Sequence, residues 1–239
     1  MKMNHCFILI TLFFHTANAQ VQVSTINDKH DHSFPFIRSK NATVTKKINS
    51  YLQNQILQNE KVETSPDKIF ENSKFIHKDT IQQSGYESIH YKVERNNAQV
   101  LSLSFTFEST GAYTSFYNEY YSFNLQTGKL INAKDLFTSA GVNYLKQFLT
   151  RERKKRMDQS VKGEVPNAKD SAFIIERYSH CNQEANENNI FITPNGIVFY
   201  KADCFPHAWQ AYDINLDIEF TIKQLEKYLT DSGKKLLLK

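Results

Sequence analysis

The residues best suited to chemistry are two cysteine–histidine pairs, His180-Cys181 and Cys204-Phe205-Pro206-His207. Two thiolates and two imidazoles make a possible zinc set, because Zn2+ takes four nitrogen or sulfur ligands in a tetrahedron. In an oxidising compartment the same cysteines pair as a disulfide, which removes both thiolates and leaves two unrelated histidines. The Cys181–Cys204 bridge is the favoured reading, worth about 3 kcal/mol by loop-closure entropy, and no metal is expected. His30-Asp31-His32 offers two imidazoles and a carboxylate, but no further ligand is placed beside them, so a solvated segment is expected.

No nucleophile elbow, zinc-protease helix or phosphate-cradling glycine loop occurs in the chain. Ser, His and Asp are present, but nothing orders them into a triad. No catalytic residue, cofactor or enzymatic activity is therefore expected. The basic run at residues 151–156 (RERKKR) is suited to an anionic partner, yet a solvated helix end explains it more simply, since the C-terminal macrodipole favours cations.

Aromatic residues carry more information. Tyr113, Phe116, Tyr117, Tyr120, Tyr121 and Phe123 crowd one stretch, and strand alternation sends them to two faces. Tyr121, Phe123 and Leu125 share a face and are assigned to the core, so Phe116 and Tyr120 point the other way. Exposed aromatics on a rigid sheet anchor protein or sugar partners. Tyr113, Phe116, Tyr117, Tyr120 and Trp209 are the candidate partner-binding residues; packing of both faces is the competing explanation.

The elements that must position these residues follow from periodicity. Val21, Val23 and Thr25 suggest an edge strand followed by an extended segment. Asn41 or Thr43 can cap a helix whose apolar face is Val44, Ile48, Leu52 and Ile56. Three alternating runs, at residues 89–94, 101–107 and 113–125, are separated by turns at Asn96-Asn97 and Gly111, which predicts an antiparallel meander. Helices are predicted at residues 141–156 and 170–178, a hairpin at 190–200, a strand at 212–220, and a terminal helix at 221–229 that Gly233 ends. The fold class is α+β: an antiparallel sheet, meander plus hairpin, with helices mainly on one face.

Compartment and size are read from the start of the chain and its composition. Lys2, the apolar residues 6–14 (CFILITLFF) and Ala17-Asn18-Ala19 read as a signal peptide over residues 1–19, which removes Cys6. That run is too short to span a bilayer, which needs about 20 residues, and no later stretch is longer. Residues 20–239 are expected to form one domain, secreted across the inner membrane to a periplasmic or extracellular site. The chain has 29 Lys+Arg against 25 Asp+Glu, a formal charge of +4. So small an excess argues against a nucleic-acid partner.

Three segments also carry a family resemblance. Residues 101–108 precede Gly111-Ala112-Tyr113; Tyr121-Ser122-Phe123-Asn124-Leu125 runs through Thr127-Gly128-Lys129 to Asp135-Leu136-Phe137; and Phe191-Ile192-Thr193 precedes Asn195-Gly196-Ile197-Val198-Phe199-Tyr200. Together with Ile48-Asn49-Ser50-Tyr51-Leu52 they resemble the RsiV-like extracellular domain of a lysozyme-sensing anti-sigma factor. Similar segments precede some peptidoglycan deacetylase domains. The resemblance spans roughly residues 40–230 and rests on turn and packing positions, with Asp135 as a helix cap and Gly128 and Gly196 as turn residues. Gly111-Ala112-Tyr113 stands where the family often has Gly-Ala-His. Neither the anti-sigma nor the deacetylase role is expected to carry over. What the resemblance implies is an exported binding module, with lysozyme or another peptidoglycan hydrolase as the expected protein partner, bound and inhibited. A module that binds peptidoglycan or glycan directly is the alternative.

Overall fold

The structure is a computed structural model of the 239-residue chain, and the residues described are 21–28, 31–59, 61–71, 73, 85–110, 114–164, 168–184, 189–201 and 214–238. For 85–86, 110, 163–164, 168–169 and 181–184 only the backbone is described. The expected signal peptide lies outside these residues. Among them no helix is long and apolar enough to cross a membrane.

The meander forms as the alternation predicts: β3 (Gly85–Asn96), β4 (Val100–Thr110), β5 (Thr114–Asn124) and the short β6 (Lys129–Leu130) make one antiparallel sheet in sequence order. Asn97 Oδ1 closes the first reversal by accepting the N–H groups of Gln99 and Val100 at 2.9 and 2.7 Å. Gly128, at φ +70°, makes the β5–β6 turn, a left-handed conformation that glycine adopts without a Cβ penalty.

One face of this sheet carries Leu101, Leu103, Phe105 and Phe107, all fully buried. Over it lie α1 (Ala42–Leu52), through Val44, Ile48 and Leu52, and the hairpin of β1 (Val21–Asn27) with β2 (Ser33–Ser39). Asn41 caps α1, its side chain accepting from Thr43 and Val44 N–H. The segment expected to be merely extended is thus the second strand of a hairpin. Its run Phe34-Pro35-Phe36-Ile37 is buried throughout, which hides the alternation. Buried Asn49 serves that strand as a surrogate neighbour, accepting Ile37 N–H at 2.9 Å and donating to Ile37 C=O at 2.8 Å.

A second core is built on β7 (Ile190–Ile192), β8 (Gly196–Phe199) and β9 (Ile218–Thr221), again antiparallel. It is covered by α2 (Ala133–Leu136), the first half of α3 (Ser139–Glu164), α5 (Ile222–Leu225) and α6 (Asp231–Leu237). A third cluster joins the far half of α3 to α4 (Ala168–Glu184) through Met157, Val161, Ile174 and Tyr178. The fold is therefore mixed α+β with three small antiparallel sheets.

Several expectations are corrected. The basic run does not end a helix, because α3 continues to Glu164. Gly233 does not terminate the last helix; it lies within α6, where an added Cβ would sit 2.2 Å from Leu136 C=O. Gly196 is a strand residue of β8, held close to β9: its Cβ would lie 1.9 Å from Phe220 C=O. Residues 214–217 are irregular, so among the described residues the last strand is only Ile218–Thr221. Asp135 caps its own helix, α2, by accepting Asn132 N–H at 2.9 Å.

Candidate functional site: the aromatic strand

β5 presents two chemically different faces, and its pairing with β4 decides which residue lies on which. Tyr117, Glu119, Tyr121 and Phe123 oppose Phe107, Phe105, Leu103 and Leu101 and so face the first core. Tyr121 and Phe123 pack there as expected, with the Tyr51 ring of α1 set edge-on to them at 5.7 and 5.6 Å. Tyr117 shares this face and stacks on Phe107 at 4.8 Å with the rings 13° from parallel. It is a half-buried packing residue in this structure.

Glu119 is a carboxylate on that otherwise aromatic face, and it was not singled out from the sequence. Tyr121 donates its hydroxyl to it. Burial, and then the Glu119 hydrogen bond, hold the Tyr121 phenol well above its ordinary range. Burial followed by the Glu119 charge also raises Tyr51, and pushes Tyr200 up to about 12. All three phenols are therefore held in the protonated form at neutral pH.

The opposite face of β5 changes character along its length. Ser122 is buried, bonded to Ser102 at 2.9 Å and accepting Ile192 N–H at 3.0 Å, so β7 covers the sheet there. Tyr120 faces away from Tyr121, as alternation requires, but its ring packs on Phe191 at 4.9 Å and Tyr200 at 5.0 Å. Beyond it Asn118 is exposed and accepts the Thr106 hydroxyl at 2.9 Å. Phe116 is 63% exposed. A groove of about 320 Å³ runs beside Phe116, Asn118 and Tyr120, with Lys201, Ile214 and Asp217 on its other side. Its rim holds both signs of charge, and Lys201 N–H donates to Asp217 at 2.9 Å. Tyr113 and Trp209 lie outside the described residues.

The candidate ligand clusters do not converge. His32 is buried, its Nδ1 2.8 Å from Asp28, while neighbouring Asp31 turns outward at φ +64° toward His90 at 3.4 Å. His30 lies outside the described residues. No group of three or more His, Cys, Asp or Glu capable of holding a metal occurs among the described residues. His180 Nδ1 is 2.9 Å from Glu176 C=O in α4. Cys181 belongs to α4 by its backbone, while Cys204 and His207 lie outside the described residues, as does the disulfide assigned to the pair.

The basic run contributes one residue of a kind not anticipated. Arg153 is 1% exposed and donates to three backbone carbonyls: Leu216 at 3.1 Å, Phe199 at 2.9 Å and Tyr200 at 3.2 Å. Burial lowers its pKa, partly offset by Asp217. Lys154 and Lys155 of the same run are exposed, and Lys154 pairs with Asp158 at 2.8 Å.

Among solved structures, a DUF3298 protein of Bacteroides fragilis superposes with a TM-score of 0.60 at 13% identity, covering 92% of this chain and 96% of that one. The fold is shared with DUF3298 proteins. A DUF3298 protein of Pseudomonas aeruginosa matches with a TM-score of 0.44 at 7% identity, over 89% of this chain and 93% of that one. DUF3298 is the RsiV-like domain family, so structural likeness and sequence resemblance lead to the same fold. No protein-family profile matches the chain, and no curated protein does.

Proposed function

We propose that this chain is an exported, non-catalytic binding module of the periplasm or cell surface, whose partner is a cell-wall hydrolase of lysozyme type that it holds and inhibits. The observation that carries this reading is Phe116, an apolar ring 63% exposed on a hydrogen-bonded strand beside a groove. A ring on so rigid a base loses little entropy on capture, and buried aromatic anchors commonly contribute about 2 kcal/mol or more to an interface. The DUF3298 fold supports the direction of the reading, since the resemblance implies a lysozyme-sensing ectodomain.

The test is a cell-wall turbidity assay with a muramidase. Lysis should fall as purified protein is added and stop at a stoichiometric ratio. Phe116→Ala should raise the concentration required more than tenfold while leaving the unfolding midpoint unchanged. Tyr120→Ala is the poorer probe, because its ring packs on Phe191 and Tyr200 and its loss costs stability. Undiminished lysis at saturating protein would reject the muramidase as target.

A further inference from the structure

At the other end of β5 lies a larger cavity that the preceding reading does not use. It measures about 720 Å³, within the range of about 300–1,000 Å³ typical of small-ligand sites. The β5–β6 turn, α2 and α6 enclose it, and all its lining residues are described. Its chemistry is one-sided. Lys129, Lys134 and Lys235 line it, and none of the three forms an ion pair among the described residues. The acid of the lining, Asp135, is engaged by Asn132 N–H at 2.9 Å.

Between the lysines stand amides already fixed in orientation. Gln126 Nε2 donates to Gln99 Oε1 at 2.9 Å, which leaves the Gln99 amide hydrogens and the Gln126 amide oxygen without a partner among the described residues. Asn124 Oδ1 accepts the N–H groups of Gln126 and Thr127 at 2.8 and 3.3 Å, leaving its own amide hydrogens for a ligand. Preset donors and acceptors in alternation suit vicinal hydroxyls, each of which both gives and takes a hydrogen bond. Ammonium groups without carboxylate partners suit an anion, as flexible point charges rather than as a bidentate fork.

We propose that this cleft binds an acidic saccharide, the amides reading its hydroxyls and Lys129, Lys134 and Lys235 its anionic groups. The site is separate from the Phe116 surface: the eight steps along β5 from Phe116 to Asn124 span about 26 Å of strand.

The experiment is calorimetric titration of the purified chain with a short oligogalacturonate, a neutral cello-oligosaccharide of equal length, a polymer of glycerol phosphate, and inorganic phosphate. The oligogalacturonate should bind measurably, with affinity falling as salt is raised, and more tightly than the glycerol-phosphate polymer, which carries the charge without vicinal hydroxyls. Lys134→Glu with Lys235→Glu should weaken binding at least tenfold, and Gln99→Ala several-fold, with unfolding midpoints unchanged. Phe116→Ala should leave it untouched, which separates this site from the muramidase reading. The proposal fails if the oligogalacturonate does not bind, if the glycerol-phosphate polymer or inorganic phosphate binds as tightly, if the neutral oligosaccharide matches the acidic one, or if the lysine and glutamine variants bind like the parent chain.

Discussion

Ser122 on β5 accepts the Ile192 N–H of β7 at 3.0 Å, and through this buried hydroxyl the second sheet docks on the first. Ser122 also bonds to Ser102 at 2.9 Å, so one side chain satisfies groups from two strands. Ser122→Ala should leave a buried N–H without an acceptor and cost about 1–3 kcal/mol. The measurement is a denaturant melt, in which the midpoint should drop while the slope is retained. An unchanged midpoint would mean the sheets are held by apolar contact alone.

Gly233 gives a test in which helix propensity and packing have opposite signs. Alanine in an exposed helix is favoured over glycine by about 1 kcal/mol. Here the new methyl would lie 2.2 Å from Leu136 C=O, a carbonyl that also accepts Thr230 N–H at 2.8 Å. Gly233→Ala should therefore lower the melting temperature, costing about 2 kcal/mol or more as α6 is pushed off α2. A raised melting temperature would contradict the close approach of the two helices.

Arg153 and Lys154 are neighbours in sequence with opposite roles. Arg153→Ala strands three carbonyls and opens a cavity, for an expected loss on the order of 3 kcal/mol. Lys154→Ala removes only an exposed pair with Asp158 and should stay within about 0.5 kcal/mol of the parent. Parallel denaturant melts of the two variants check this. Equal effects would show that Arg153 is not the clamp between α3 and the second sheet.

The cysteines give a covalent test of the export reading. Alkylation of mature protein without reductant, followed by intact-mass measurement, should add no label at Cys181 or Cys204. Two labelled cysteines per chain, or stoichiometric zinc in protein purified without added metal, would replace the disulfide with one of its competitors.

What the sequence made legible, and what it hid, follows from where each signal is written. The capped start of α1, which the sequence left between Asn41 and Thr43, the meander and the two faces of β5 rest on local patterns, and the fold has all three, with Asn41 as the cap. Arg153 was hidden because a charged run reads as surface. Yet Leu145, Leu149, Arg153, Met157 and Val161 recur every fourth residue, and all five are buried on α3. Extending the helix past residue 156 would have placed the arginine on its apolar stripe. Tyr120 was correctly oriented but its cover was not foreseeable, because β7 arrives from about seventy residues later in the chain. The lysine cleft was hidden for the same reason: it is assembled from segments that only the tertiary fold brings together.

The most direct test of the central claim is calorimetric titration of residues 20–239 with muramidases of several structural classes. Saturable one-to-one binding of at least one class, micromolar or tighter, is expected, weakened at least tenfold by Phe116→Ala and persisting when the muramidase active site is inactivated by mutation. No heat of binding from any class at high micromolar concentration, with the protein shown to be folded, would contradict it.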